Sequence, residues 1–203
     1  MTSSHQEKHV DALFALLEGQ GSGSDYIGES ISQLEHFLQA AHFAKEDGAD
    51  EETIVAALFH DVGQILPEST AGRLLDPESG KSVGRQGHDA IGEAYLRKEG
   101  WPDRLCSLVG AHVEAKRYLT ACEPGYLAGL SSASQTSLRL QGGPFTRQEV
   151  QAFQSTDSWR EKVSLRLYDD RAKVVGLQTE PLEAYRDMAL RVLRHNCIPE
   201  RIY

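Results

Sequence analysis

Residues 50–61 read Asp50-Glu51-Glu52-Thr53-Ile54-Val55-Ala56-Ala57-Leu58-Phe59-His60-Asp61. The unbroken apolar run from Ile54 to Phe59 leaves no polar face, so this is a helix buried nearly all round. Asp50 is a good N-cap, and Glu51 and Glu52 lie in the first turn, where the helix dipole favours negative charge. The run ends in an imidazole beside a carboxylate. A neutral imidazole gives one lone pair, and an ionised carboxylate bridges two cations through its two oxygens. A His-Asp pair where a central helix stops is therefore well placed to hold metal.

Upstream, Val10, Leu13, Phe14 and Leu17 follow i, i+3, i+4, i+7 spacing and predict an amphipathic helix over 7–18. Residues 19–24 form a Gly/Ser loop. A helix over about 30–47 follows, with Ile31, Leu34, Leu38 and Ala41 as its expected inner face and Gly48 as its stop. Downstream, Gly63 and Pro67 break the pattern. Residues 66–87 show no clear period, and so long a loop is usually functional or mobile. A helix over 88–98 ends at Gly100. Pro102 fits the first position of the next helix, in which Leu105, Leu108, Val109 and His112 share a stripe, with Lys116 one turn beyond. The Ser-rich segment 131–137 suits a short helix, and Thr146-Arg147-Gln148-Glu149 has the form of a capping box. A helix over 158–175 carries Arg166, Asp169, Asp170 and Lys173. The last helix, 181–195, turns Leu182, Tyr185, Ala189 and Val192 inward. No segment alternates strictly and none repeats, so the expectation is one all-α domain over 1–203.

The bulk numbers restrict the function classes. The chain has 203 residues, 40% hydrophobic and 25% charged, with a formal net charge of -9. That balance argues against nucleic-acid or anionic-membrane binding, which need a basic footprint. A small anionic substrate stays compatible, because a local basic pocket fits inside an acidic protein. No apolar stretch reaches the ~20 residues of a transmembrane helix. The first residues lack the features of a signal peptide. Cys106, Cys122 and Cys197 are odd in number and widely spaced, which predicts a reducing cytoplasm and no disulfide framework. Cys106 reads as core filling.

Four histidines, His36, His60, His88 and His112, fall in or at the edge of different expected helices, and Asp61 and Asp169 add carboxylates. A lone histidine such as His112 is usually a hydrogen-bonded core residue, and a lone helical aspartate is usually solvated. Six such groups gathered without metal would leave many buried polar atoms unpaired. Helical bundles build metal sites from converging side chains of this kind. Nitrogen and oxygen ligands without thiolate suit iron, manganese or zinc. Six ligands are too many for one open ion, which favours two ions bridged by Asp61. His5, His9, His42 and His195 lie in polar or terminal contexts and join no such set. Lys116, one turn from His112, and Arg166, three residues before Asp169, imply an anionic guest. For either cation alone, pairing with a nearby acid is an equal reading. Ser134 is a further candidate hydrogen-bond donor.

The order His36 … His60-Asp61 … His88 … His112 … Asp169 resembles the HD-domain superfamily, specifically its di-iron oxygenase branch. Simple HD phosphohydrolases need fewer ligands. The added histidines, 28 and 52 residues after His60, point to a dinuclear subclass. Tyr26-Ile27-Gly28-Glu29, Gln33-Leu34-Glu35-His36, the stretch Ala111 to Leu119 and Gln141-Gly142-Gly143-Pro144 look like oxygenases that cleave the carbon–phosphorus bond of 1-hydroxy-2-aminoethylphosphonates. Inositol oxygenases share the metal ligands and the Asp169 to Lys173 spacing. The resemblance runs from about 26 to 175, with the terminal helices 7–18 and 181–195 packed on that core.

The resemblance implies a mixed-valent Fe(II)/Fe(III) pair with O2 as co-substrate. It puts His36, His60, Asp61 and Asp169 on one iron, and His88 and His112 on the other with Asp61 as the bridge. Tyr26 would cap the second iron until substrate arrives, held by Glu29. Lys116, Arg166 and Ser134 would take the phosphonate. Close relatives acting on the primary amine read His-Asp-x-Gly-His, whereas this chain has His60-Asp61-Val62-Gly63-Gln64. A quaternary ammonium has no N–H to donate and prefers aromatic faces. Gln64, with Tyr26, Tyr118, Tyr126, Tyr168 and Trp159 as walls, therefore favours 1-hydroxy-2-(trimethylamino)ethylphosphonate, giving glycine betaine and phosphate. The amino analogue, giving glycine, is the alternative. An inositol-type polyol oxygenase, an HD phosphohydrolase and a non-enzymatic metal-binding module are the more distant ones. Oligomeric state is left open.

Overall fold

The computed structural model describes residues 3–23, 25, 26, 28–67 and 71–195. Cys197, Ile27 of the Tyr26 motif, and parts of the Gly/Ser and 66–87 loops lie outside the described residues. The helices are α1 (Ser3–Gly21), α2 (Gln33–Glu46), α3 (Glu51–Phe59), α4 (Val62–Ile65), α5 (His88–Lys98), α6 (Asp103–Gly110), α7 (His112–Cys122), α8 (Tyr126–Gly129), α9 (Ser132–Leu140), α10 (Arg147–Gln154), α11 (Trp159–Arg171) and α12 (Arg186–His195). Among the described residues the architecture is all-α apart from one small hairpin. No helix among the described residues is long and apolar enough to cross a membrane.

The centre is α3, as its run of apolar residues requires. Val55 through Phe59 are completely buried, and α2, α6, α11 and α12 pack around them. Asp50 caps the helix by accepting the Thr53 N–H at 2.8 Å. Ser32 caps α2, and Glu35 returns the bond to the Ser32 N–H, a reciprocal capping box. Thr146 and Glu149 do the same for α10. Phe14 meets Phe59 edge-on, and Trp101 meets Phe59 from another side. The terminal helices α1 and α12 pack on each other and on this core. A second, smaller cluster holds Ala115, Tyr118, Leu119 and Phe153 beneath α7, α10 and α11.

Several sequence expectations are corrected. Of the expected inner face, Ile31 and Ala41 are buried but Leu34 and Leu38 are not; the buried residues of α2 are Gln33, His36, Phe37, Gln39, Ala40, Ala41 and Ala44. Leu34 and Leu38 are only partly buried at the rim of the core, and the helix is rotated so that His36 points inward. The 66–87 loop holds an antiparallel hairpin, β1 (Arg73–Leu75) with β2 (Ser82–Arg85). Strands this short leave no alternation to read. Their turn is built by Asp76, whose carboxylate accepts the N–H groups of Glu78 and Ser79. The stripe from Leu105 to Lys116 is two helices, broken at Ala111, with Pro102 as the N-cap of α6 rather than its first residue. Helix α11 stops at Arg171, leaving Lys173 beyond its end, and the last helix opens with a 3-10 turn over Leu182–Tyr185.

Gly63 sets the distance between α4 and α5. A Cβ there would lie 1.9 Å from the His88 carbonyl oxygen and 2.9 Å from the Gly92 nitrogen. Only a residue without a side chain lets Asp61 and His88 come this close. The hairpin is then tied over α4: the Arg85 guanidinium donates to the carbonyls of Gly63 (2.8 Å) and Leu66 (2.6 Å).

Candidate metal centre

The six sequence-derived candidates converge. All are buried, with His36 and His60 at 0% exposure. They form two groups, His36 with His60 and Asp169, and Asp61 with His88 and His112, each with its ligand atoms within 4.8 Å of one another. Asp61 faces both. Its Oδ2 lies 3.8 Å from His36 Nε2 and 3.7 Å from His60 Nε2, while its Oδ1 lies 3.2 Å from His88 Nε2 and 3.4 Å from His112 Nε2.

The rings are aimed by their outer nitrogens. Nδ1 of His36 bonds to Ala172 O at 2.7 Å, that of His60 to Ala57 O at 2.8 Å, that of His88 to Arg85 O at 2.9 Å and that of His112 to Val109 O at 2.8 Å. A carbonyl only accepts, so every Nδ1 carries the proton and every Nε2 presents a lone pair to the centre. In His60, His88 and His112 the acceptor is the carbonyl three residues back. Each ring therefore sits where a helix stops or starts, and this explains the break at Ala111.

This arrangement fits metal. His36 Nε2 and His60 Nε2 are 3.0 Å apart, and His88 Nε2 and His112 Nε2 are 2.9 Å apart. With both protons on Nδ1, no hydrogen bond joins either pair; lone pair faces lone pair. Two nitrogens each ~2.1 Å from one ion at a right angle would be about 3 Å apart. Asp61 Oδ1 is a buried oxygen without a hydrogen-bond donor. A cation between these atoms resolves every one of these contacts.

Electrostatics agree for His36 and His60, whereas Asp61 raises His112 against the effect of burial. Burial, and then the neighbouring His60, lower the His36 pKa to about 4, and burial lowers that of His60. Both rings are thus neutral ligands near neutral pH. Burial alone would raise Asp169, but Arg166 and the histidines hold it well below the usual carboxylate range. Asp61 is likewise lowered by His60 and His88 against the effect of burial.

Beside Asp61, His88, His112 and Asp169 opens a small cleft of about 50 Å³ whose walls include Tyr26, Gln64, Lys116, Ser134 and Arg166. Tyr26 stacks on His36 (ring centroids 3.7 Å apart), and its hydroxyl is 3.5 Å from Asp169 Oδ1, so these contacts place it beside the His36–His60–Asp169 group and not, as expected, over the ion given to His88 and His112. Burial and then the Asp169 charge push that hydroxyl well above its ordinary pKa. Glu29 meets Tyr26 through its backbone N–H, which donates to the Tyr26 carbonyl at 3.0 Å. Lys116 donates to Ser137 Oγ at 2.9 Å and Gln141 Oε1 at 2.7 Å. Burial and then the Arg166 charge lower Lys116 to about 7. Gln64 Oε1 accepts the Arg85 N–H at 2.8 Å.

Of the five aromatics expected as walls for a quaternary ammonium, Tyr26 alone lines this cleft among the described residues. Tyr118 packs at a tilt against Phe153 and Trp159 in the smaller core, and Tyr126 and Tyr168 line a separate outer recess. Ser137 and Gln141 line the cleft and were not singled out from the sequence; Asp170 lies outside it and pairs with Arg166. Ser134 and Ser137 on α9 and Gln141 at its C-cap follow i, i+3, i+7 spacing, which is the signal that would have found Ser137 and Gln141.

The HD domain family matches residues 34–146. The chain is 36% identical over 189 residues, 93% of its length and 90% of the relative's, to a hydroxymethylphosphonate dioxygenase of Gimesia maris. It is 34% identical over 184 residues, 91% of its length and 90% of the relative's, to a 1-hydroxy-2-(trimethylamino)ethylphosphonate dioxygenase, glycine-betaine-forming, of Leisingera caerulea. An uncharacterised protein of Acanthamoeba polyphaga mimivirus is 35% identical over 186 residues, 92% of this chain and 82% of that one.

Proposed function

The chain belongs to the HD-domain family, and from that premise we propose that it is an O2-dependent di-iron oxygenase that breaks the carbon–phosphorus bond of a small 1-hydroxyphosphonate. The observation that carries this reading is Asp61, one ligand of the His88–His112 group, also facing the His36–His60–Asp169 group, beside a cleft that presents Lys116 and Arg166. The nitrogen and oxygen donor set suits iron, and both phosphonate dioxygenase relatives match nearly the whole chain. On this reading the chain is one oxygenase domain over 1–203 acting in the cytoplasm.

His36, His60, Asp61 and Asp169 would hold one ion, and His88 and His112 the other with Asp61 between them. The mixed-valent pair supplies activation of O2 for oxidation at C1. The remaining steps belong to the chain. Lys116, Arg166 and Ser134 bind the phosphonate oxygens and fix C1 over the centre. Tyr26 covers the cleft on the His36 side, and Glu29 holds it there until substrate displaces it. Closure around the guest keeps water from C1. Overall, hydroxyphosphonate and O2 give a carboxylate, inorganic phosphate and a proton.

Two substituents at C1 compete. Gln64 in place of histidine favours the trimethylammonio compound, with the 2-amino compound as its analogue. The absence of a described aromatic cage beyond Tyr26 favours hydroxymethylphosphonate. The iron-loaded protein is to be given each phosphonate in an oxygen electrode, with phosphate release followed in parallel. Equimolar O2 uptake and phosphate release on one of them is expected. Hydrolysis of a phosphate ester with no O2 uptake would instead establish the phosphohydrolase alternative, and O2 uptake on inositol alone would establish the polyol one.

A further inference from the structure

We propose that Asp170 and Tyr126 are a positioning pair that sets the Arg166 guanidinium as the anion clamp of the cleft. The inference rests on the reading above only in taking the guest to be an anion. Arg166 is 4% exposed on α11, and its donors are divided among three partners. Its Nε lies 3.1 Å from Asp170 Oδ2 and 3.2 Å from Tyr126 Oη, and its Nη2 bonds Asp170 Oδ1. Its Nη1 donates to Asp169 Oδ2 at 2.7 Å. The Tyr126 hydroxyl donates to Asp170 Oδ2, which closes a triangle.

A guanidinium has five N–H donors. These bonds engage the Nε donor and one on each terminal nitrogen. One N–H on Nη1 and one on Nη2 remain, the number a phosphonate takes in a bidentate contact. Asp170 and Tyr126 do not line the cleft; they line the outer recess with Ser164, Leu167 and Tyr168. Their direct link to the cleft is Arg166; Asp170 Oδ1 also lies 3.7 Å from Lys173 Nζ, which is 3.5 Å from Ser134 Oγ. The pair also limits Arg166 to one oxygen of Asp169, so Asp169 Oδ1 stays turned to His36, 3.5 Å away. Without Asp170, both edges of the guanidinium would be free to close on Asp169, and the donors left for an anion would be misaligned.

The experiment uses the metal-loaded full chain and the variants Asp170→Asn, Tyr126→Phe, Arg166→Lys and the double Asp170→Asn/Arg166→Lys. Steady-state kinetics on the phosphonate that is turned over give KM and kcat. Calorimetric titration with inorganic phosphate gives an affinity independent of turnover. Metal content is measured on each sample. Asp170→Asn is expected to raise KM and the phosphate Kd together by ~10-fold, with kcat within about threefold and metal content unchanged. Tyr126→Phe, which deletes one oxygen and keeps the fold testable should Asp170→Asn not fold, is expected to raise both by ~3-fold. In the Arg166→Lys background, Asp170→Asn is expected to add less than about twofold, because the fork it positions is gone. An unchanged phosphate Kd, full additivity in the double variant, or metal loss parallel to activity loss overturns the proposal. Phosphate affinity that responds as expected in a protein turning over no phosphonate sinks the proposed reaction and keeps the clamp. Turnover without coupling does the reverse.

Discussion

At the scale of single residues, the centre is governed by where protons sit. Four Nδ1–H groups are fixed on carbonyls, so four Nε2 lone pairs are committed inward before any metal arrives. This preorganisation needs Asp61 as the common acceptor of charge. Asp61→Asn removes one bridging oxygen and offers an amide N–H in its place; metal content measured by atomic absorption is expected to fall from two ions per chain to one or none. Lys116 makes a different statement. Burial and then Arg166 bring it to about 7, so its ammonium form dominates below that pH and is lost above it. The free-enzyme profile of kcat/KM for an anionic substrate should therefore descend as pH rises through about 7. In Lys116→Arg the cation persists at all these pH values. The variant is expected to lie ~10-fold lower at pH 6, because Ser137 and Gln141 no longer fit it, and to lack that limb. Comparison on the same substrate cancels the substrate's own ionisation. An unchanged limb in the variant would assign it to another group.

At the scale of elements, α3, α4 and α5 hold the centre through one close approach. Gly63→Ala drives a Cβ into the His88 carbonyl, a backbone atom that cannot swing aside. The expected cost is at least ~2 kcal/mol, read as a fall in Tm of about 4–8 °C for a chain of this size. Loss of His88-side metal should accompany it as α5 is pushed away from Asp61. The glycine's place in the sequence predicted a break in the pattern but not this contact, since the partner lies in another helix. The same limit explains what else was legible. The run from Ile54 to Phe59 announced a central helix because burial all round leaves a local signature. Ser32 and Thr146 both stand three residues before a glutamate, and both spacings prove to be capping boxes, though the sequence reading singled out only the second. The six candidate ligands were legible as residue types in an order. The face of α2 was not, because Leu34 and Leu38 mimic a core stripe while His36 and Gln33 hold the buried one. The split at Ala111 was not, because the cause is a side-chain ring taking the Val109 carbonyl. The aromatic walls failed for the same reason: Tyr118 and Trp159 belong to the smaller core with Phe153, a grouping set by tertiary packing.

At the scale of the whole molecule, the centre gathers ligands from the ends or faces of α2, α3, α5, α7 and α11, so metal and fold are thermodynamically linked. An ion that binds only the folded chain stabilises it in proportion to the logarithm of its concentration over Kd. A chelator should accordingly lower Tm, and restoring Fe(II) under anaerobic conditions should recover it. The metal-free chain should also become acid-sensitive in a defined window. The folded-state pKa of His36 is about 4, below its ordinary 6.5, because burial and then His60 disfavour the charged ring. The unfolded chain thus binds more protons than the folded one between these values, and stability rises with pH across them. It is complete above about 6.5 and lost as pH falls toward about 4, by roughly 3 kcal/mol from this ring. His60, lowered for the same first cause, adds to the loss. In the loaded protein the ion occupies the lone pairs that protons would take, so proton and metal compete and the fall should shift to lower pH as free Fe(II) rises. Urea titrations of chelated and loaded protein at several pH values between 4 and 7 check this. A metal-free protein whose stability is flat across that range would mean that the His36 and His60 rings are not held neutral and facing inward in the absence of metal.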